Sequence, residues 1–247
     1  MKTAFITGAS SGIGRATAVA LAGAGYQLVV AGRRREQLED LTRQLASVPT
    51  HLLTFDVRDR AAVEAAVAKL PAEFAHIDVL INNAGNAHGL ASIQSGDPAD
   101  WDAMLDGNVK GLLYVSRAVL PRMAAGGIIV NLGSIAGYEA YANGNVYCAS
   151  KAAVAMLTRT MRLDLLPLGI RVAEVAPGMV ETEFSAVRFK GDEARAASVY
   201  QGVQPLQPED VADIIQFIVT RPPHVQLAEV VVFPAAQAAA ATIKREG

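Results

Sequence analysis

Short apolar runs recur along the chain with room for one helix between neighbours. They are Thr3–Thr7, Gln27–Ala31, His51–Phe55, Val79–Ile81, Ile128–Leu132, Arg171–Val175 and Val230–Phe233. They do not alternate with polar residues, as expected of strands buried on both faces. Between them lie helical stretches: Ile13–Ala24, Arg35–Ala46, Ala61–Leu70, Trp101–Ala124, Val146–Leu166 and Pro208–Thr220. Alternating strand and helix predicts an α/β fold with a parallel sheet covered on both sides. Gly107 and Gly111 inside the fourth helical stretch should weaken it. No internal repeat or linker divides the chain. The alanine-rich tail, residues 235–247, is expected to fray or to pack on a neighbouring subunit.

Composition narrows the class. Of 247 residues, 51% are hydrophobic and 19% charged, which describes a globular chain with a large core. The net charge of −2 gives no support for nucleic-acid binding. No apolar stretch approaches the ~20 residues of a membrane span. Met1-Lys2 runs directly into the first strand, so no signal peptide is expected and a cytoplasmic location follows. Cys148 is the only cysteine and has no intrachain partner; it reads as packing. His51, His76, His88 and His224 show no metal-ligand spacing, so no metal is expected. His88 could still face a substrate.

Chemistry is concentrated in a few places. Thr7-Gly8-Ala9-Ser10-Ser11-Gly12-Ile13-Gly14 joins the first strand to the first helix. Gly8 permits a tight turn, Gly12 lets the backbone approach a pyrophosphate, and Gly14 lets helix and strand pack closely. The helix N-terminus would favour that phosphate charge. Tyr147 and Lys151, four residues apart, share one helix face. A lysine beside a phenol lowers a pKa that starts near ~10, making an acid/base usable near neutral pH. Ser134, thirteen positions before Tyr147, could donate to a substrate oxygen.

Together with Asn82-Asn83-Ala84-Gly85, Asn108 and Pro177-Gly178, these motifs stand in the order found in the classical short-chain dehydrogenases/reductases. The chain resembles that family over essentially its whole length. The resemblance implies a single-domain doubly wound Rossmann fold with a seven-stranded parallel sheet. Residues 1–176 would form the cofactor-binding and catalytic core, 177–207 a substrate-covering segment and 235–247 a tail. It implies hydride transfer between NADP(H) and an alcohol/carbonyl pair, in a homotetramer. Tyr147 would be the general acid/base and Ser134 would orient the carbonyl. Lys151 would bind the nicotinamide ribose, and Asn108 would support a proton-relay water at a helix kink. Gly8, Ser10, Ser11, Gly12, Ile13 and Gly14 would hold the phosphates. Asp56 and Val57 would meet the adenine, with an ordinary helix cap as the alternative reading of Asp56. Asn83, Ala84 and Gly85 would support the cofactor, as would Pro177, Gly178, Val180 and Thr182 at the carboxamide.

The second strand ends Val30-Ala31-Gly32-Arg33-Arg34-Arg35. A carboxylate here would favour NAD, whereas Arg33 and Arg34 offer charge and planar donors to a 2′-phosphate. NADP is therefore expected. The stretch Thr182–Asp192 is similar to a narrower group, the NADP-dependent 3-hydroxy acid (serine-type) dehydrogenases. Arg188 and Lys190 could meet a substrate carboxylate or sulfonate, or be solvated, or pair with Glu183 and Asp192. Two departures stand against that group. Gly178–Thr182 is one residue shorter, and Glu139-Ala140-Tyr141 replaces an apolar stretch, where Glu139 near the pocket would disfavour an acidic substrate. A broad reductase of neutral carbonyls and an NADP(H)-binding redox sensor are the alternatives; the intact Ser134, Tyr147 and Lys151 set argues against the sensor.

Overall fold

The computed structural model describes residues 1–246. Its elements begin β1 (Lys2–Thr7), α1 (Gly12–Gly23), β2 (Tyr26–Gly32), α2 (Arg35–Gln44), β3 (Thr50–Thr54), α3 (Arg60–Ala68) and β4 (Val79–Asn82). They continue α4 (Pro98–Leu105), α5 (Gly111–Val119), β5 (Ile128–Leu132), α6 (Asn145–Leu165) and β6 (Arg171–Pro177). Last come α7 (Phe184–Arg188), α8 (Glu193–Ser198), α9 (Pro208–Val219), β7 (Glu229–Val232), β8 (Gln237–Ala239) and β9 (Thr242–Ile243). Seven strands form one parallel sheet in the order β3-β2-β1-β4-β5-β6-β7. The order reverses between β1 and β4, and the crevice at the strand ends there is where such a sheet binds ligands.

Each buried strand feeds two cores. Ile6, Val30, Ile81 and Val130 pack with Leu21 of α1 and Ile215 of α9. Phe5, Val29, Leu80 and Ile129 point the other way, onto Val63 of α3, Val115 of α5 and Leu165 of α6. Burying each such side chain contributes about 1.5–3 kcal/mol. A polar seam interrupts the second core: Asn82 Nδ2 donates to Asn131 Oδ1 and to Ser116 Oγ, both at 2.9 Å. Asn131 Nδ2 donates in turn to Thr158 Oγ1 at 2.9 Å.

The structure departs from the sequence pattern in three places. The expected helix Trp101–Ala124 is broken: a π turn over Asp106–Lys110 separates α4 from α5, and a 3-10 turn, Leu120–Arg122, follows. Gly111 is required there, because a Cβ on it would lie 2.7 Å from Val57 Cγ2. Second, α7 and α8 have five and six residues, too short for a periodic signal. Third, the tail does not fray. β8 and β9 form an antiparallel hairpin, and buried Gln237 accepts from Met179 N–H at 2.8 Å. Arg245 Nη2 donates to the Val199 carbonyl at 3.1 Å, and Glu246 N–H to that of Gly202 at 2.8 Å. The tail thus holds its own chain's 199–202 segment.

Candidate active site

A cavity of about 430 Å³ opens at the reversal point and runs from the glycine-rich turn to Tyr147. Gly8 and Gly12 have φ of +66° and +52°, which L side chains rarely adopt. A Cβ on Gly8 would lie 2.6 Å from Asn83 Nδ2, and that amide donates to the Thr7 carbonyl at 2.9 Å. Gly14 packs on the Gly8 carbonyl with no room for a side chain. No side chain caps α1, so its first amides face the cavity with their partial positive charge. Ile13, Val57, Ala84 and Gly85 line the cavity, as do Pro177, Gly178, Val180 and Thr182.

At the far end stand Arg33, Arg34 and Asp56. Arg34 Nη2 donates to Ser11 Oγ at 2.6 Å and to Ser10 Oγ at 3.3 Å, while its Nη1 meets Glu183 Oε2 at 2.7 Å. Asp56 is gripped by Arg58, with Nη2 to Oδ2 at 2.6 Å, and Arg33 lies 3.9 Å away. The Arg58 guanidinium holds the Asp56 carboxyl below the usual carboxylate range. Gly32 brings no carboxylate, and its missing Cβ would sit 3.5 Å from Ser10 Oγ. A side-chain-free backbone cradle at one end and cations at the other fit an NADP dinucleotide.

α6 delivers the reacting groups. Tyr147 and Lys151 are both buried. Burial pushes the Tyr147 phenol up to about 12, against which Ser134 and Arg188 pull it down. Lys151 Nζ donates to the Leu132 carbonyl at 2.8 Å, and burial pushes its amine down to about 8. In this conformation the acidifying neighbours of the phenol are therefore Ser134 and Arg188. Ser134 ends β5's extension and its Oγ accepts from Ala136 N–H at 3.2 Å. Asn108 sits in the π turn, behind the cavity wall. Its Oδ1 accepts from Asn86 N–H at 2.7 Å, and its Nδ2 donates to the Asn86 carbonyl at 2.8 Å and to Ser150 Oγ at 2.9 Å.

The two cations of the covering segment part company. Arg188 turns inward: its Nη2 donates to Tyr141 Oη at 2.5 Å, and its guanidinium lies 5.3 Å from the Tyr147 ring centre. Tyr141 and Phe184 flank it, at 5.5 and 6.0 Å. Lys190 turns outward to Asp100 at 3.0 Å and Asp97 at 3.8 Å, partners that sequence spacing did not indicate. Glu183 pairs with Arg34, and Asp192 caps α8 through Arg195 N–H. Glu139 accepts from Ala240 N–H at 2.7 Å and is not part of the cavity lining among the described residues. Arg188 likewise lies outside that lining and borders a smaller adjoining pocket with His88, Asn145 and Tyr147. His88 lines the cavity and burial lowers its pKa; Cys148 packs in the small cluster with Tyr147. Among the described residues no group of His, Cys, Asp and Glu is placed to hold a metal, and no helix is long and apolar enough to cross a membrane. Sequence reasoning missed Arg58, Tyr141 and Phe184. Only Arg58, two residues after Asp56, carried a usable signal.

Comparison with known proteins agrees with this geometry. The family profile described as short chain dehydrogenase matches residues 2–193. A sulfoacetaldehyde reductase of Chromohalobacter salexigens is 47% identical over 238 residues, covering 95% of this chain and 94% of the relative. An NADP-dependent 3-hydroxy acid dehydrogenase of Schizosaccharomyces pombe is 44% identical over 251 residues, covering 99% and 97%. Among solved structures, the closed form of a serine dehydrogenase complexed with NADP+ superposes with a TM-score of 0.93 at 39% identity, covering 99% and 100%. By profile, sequence and structure alike, the chain belongs to the short-chain dehydrogenase/reductase family.

Proposed function

We propose that the protein is an NADP(H)-dependent oxidoreductase acting on a short 3-hydroxy acid or on the matching acidic semialdehyde. The observation that carries the substrate class is the Arg188 guanidinium 5.3 Å from the Tyr147 ring, half-buried and directed by Tyr141. A cation fixed beside the proton donor answers a carboxylate or sulfonate a few bonds from the reacting carbon. The names of the relatives above fit this, since sulfoacetaldehyde, 3-hydroxy acids and serine all carry an acidic group.

Gly8, Gly12, Ser10 and Ser11 would hold the pyrophosphate, Arg33 and Arg34 the 2′-phosphate, and Pro177 to Thr182 the carboxamide end. When bound, the nicotinamide supplies or accepts the hydride. The protein supplies the proton and the alignment. In reduction the Tyr147 hydroxyl gives its proton to the carbonyl oxygen, which Ser134 Oγ orients; in oxidation the same phenolate takes the hydroxyl proton. Arg188 favours the phenolate by charge, and Lys151 binds the ribose. Asn108 fixes the backbone at Asn86 and the π turn, along which the proton is replaced from solvent. Residues 177–207 act as the cover and 235–246 as its brace.

We infer a homotetramer in the cytoplasm; association between subunits is supported by Leu163, Leu166 and Phe217, large apolar side chains more than half exposed. The function is tested by following NADPH oxidation with aldehydes of matched length, one ending in a carboxylate or sulfonate and one neutral. The acidic member should be preferred by roughly tenfold or more. Equal rates would establish a broad carbonyl reductase.

A further inference from the structure

A half-buried phenol behind the site ties two of its parts together. Tyr200 stands in the turn after α8 and lines neither the main cavity nor the smaller pocket beside it. Its Oη donates to the Val180 carbonyl at 3.0 Å. Ser185 Oγ lies 2.8 Å from the same Oη. A phenol has one proton and Val180 takes it, so Ser185 is the donor in the second bond.

The two partners serve different ends of the reaction. Val180 lies in the turn from Pro177 to Thr182, at the carboxamide end of the cofactor cavity. That turn also pairs with Leu206, whose N–H donates to the Met179 carbonyl at 3.0 Å. Ser185 is buried in α7, three residues before Arg188. That spacing puts the two side chains on adjoining helix faces, so α7 is held through Ser185 while Arg188 reaches the site. On the other side Gly89 N–H donates to the Arg188 carbonyl at 2.9 Å. A helix of five residues has little stability of its own, so these tethers set its place and the reach of Arg188. Tyr200 is itself held, because Arg245 donates to the carbonyls of Val199 and Gln201 on either side of it.

We propose that Tyr200 is a positioning residue for substrate choice, joining the turn at the nicotinamide end to the helix that carries Arg188. This rests on the reading of Arg188 as the anchor of an acidic substrate. Such a substrate must meet Arg188 with its acid group while its reacting carbon meets the nicotinamide and Tyr147. The spacing between turn and helix decides whether one bound pose does both. Tyr200 fixes that spacing through two bonds to one oxygen. A neutral aldehyde has no second anchor and does not feel it.

The test is a double-mutant cycle read as a ratio: kcat/KM for an acidic aldehyde over that for a neutral aldehyde of the same length, with NADPH. Tyr200→Phe keeps the ring and loses both bonds, and should lower the ratio by roughly threefold to tenfold. Ser185→Ala, which loses only the bond from α7, should follow it. In an Arg188→Ala background neither change should lower the ratio further, since a residue that acts through Arg188 has nothing left to place. A merely structural role would instead slow both aldehydes alike. A ratio unmoved in either variant, or lowered by the same factor with and without Arg188, overturns the proposal. If Tyr200→Phe does not fold, Ser185→Ala with Arg188→Ala completes the same cycle. A ratio unchanged in Arg188→Ala itself removes the underlying reading; a fall there with none in Tyr200→Phe overturns this inference alone.

Discussion

The two walls of the cavity are built by different means. From β1 to β5 the wall is mostly backbone: Gly8 and Gly12 at positive φ, the uncapped start of α1, and the Asn83 amide tying strand ends together. From Pro177 to the tail the wall depends on single side chains: Arg188 on Tyr141, Glu183 on Arg34, and Gln237 under Met179. A backbone wall tolerates little change, since any side chain on Gly8 or Gly14 meets atoms that cannot move. A side-chain wall can be retuned by one substitution without disturbing the sheet. On the proposed assignment the pyrophosphate sits on the rigid side, and the carboxamide end and substrate choice on the adjustable one.

The largest effect should come where the walls meet. Tyr147→Phe should lower turnover by about 10²–10⁴-fold, while cofactor affinity, measured by NADPH fluorescence, stays close to wild type. Near-normal turnover would break the comparison at its centre. Next, Arg33→Ala should raise the KM for NADPH by roughly tenfold to a hundredfold, the worth of one charge-assisted hydrogen bond. NADH should be little affected. An equal effect on both cofactors would mean that Arg33 does not read the 2′-phosphate.

Weaker effects should follow on the side-chain wall. Gln237→Ala leaves Met179 N–H without its acceptor, a loss of about 1–3 kcal/mol. It should lower thermal stability and raise the KM for NADPH by less than about tenfold. An unchanged melting temperature and KM would show that the tail does not brace the Pro177-Gly178 turn. A separate readout is the pH dependence of stability. Lys151 titrates at about 8 when folded and near ~10.4 when unfolded. Between those values the unfolded chain holds a proton that the folded chain lacks, so this group's contribution rises with pH. Lys151→Met should lack that rise, and urea denaturation at the two ends of the window would expose the difference. Parallel curves for the two proteins would contradict it.

The same contrast governs what could be read from the chain. Strands such as Val79–Ile81 are continuous apolar runs because both sheet faces are covered, and the strands emerged with only end residues displaced. Gly8, Gly12 and Gly14 were legible because a backbone demand leaves glycine in the sequence. Side-chain pairs leave no such mark. Nothing local joins Arg188 to Tyr141, 47 positions apart, or Arg34 to Glu183, 149 apart. The break in the helix around Asn108 was half visible: Gly107 and Gly111 signalled weakness, but the π turn depends on amide bonds to Asn86 and Ser150. Tyr200 was hidden altogether, since a tyrosine in a surface turn resembles a packing residue until Val180 and Ser185 are brought to its hydroxyl.

The central claim, that Arg188 selects an acidic substrate beside a tyrosine proton donor, is tested most directly by one ratio. It is kcat/KM for an acidic aldehyde divided by kcat/KM for a neutral aldehyde of the same length, measured with NADPH in wild type and in Arg188→Ala. The account predicts that the ratio falls by roughly tenfold to a hundredfold in the variant, because only the acidic substrate loses its charge partner while the effect of Arg188 on the Tyr147 phenol is common to both substrates. A ratio that is the same in both proteins, or near one in the wild type, would contradict it.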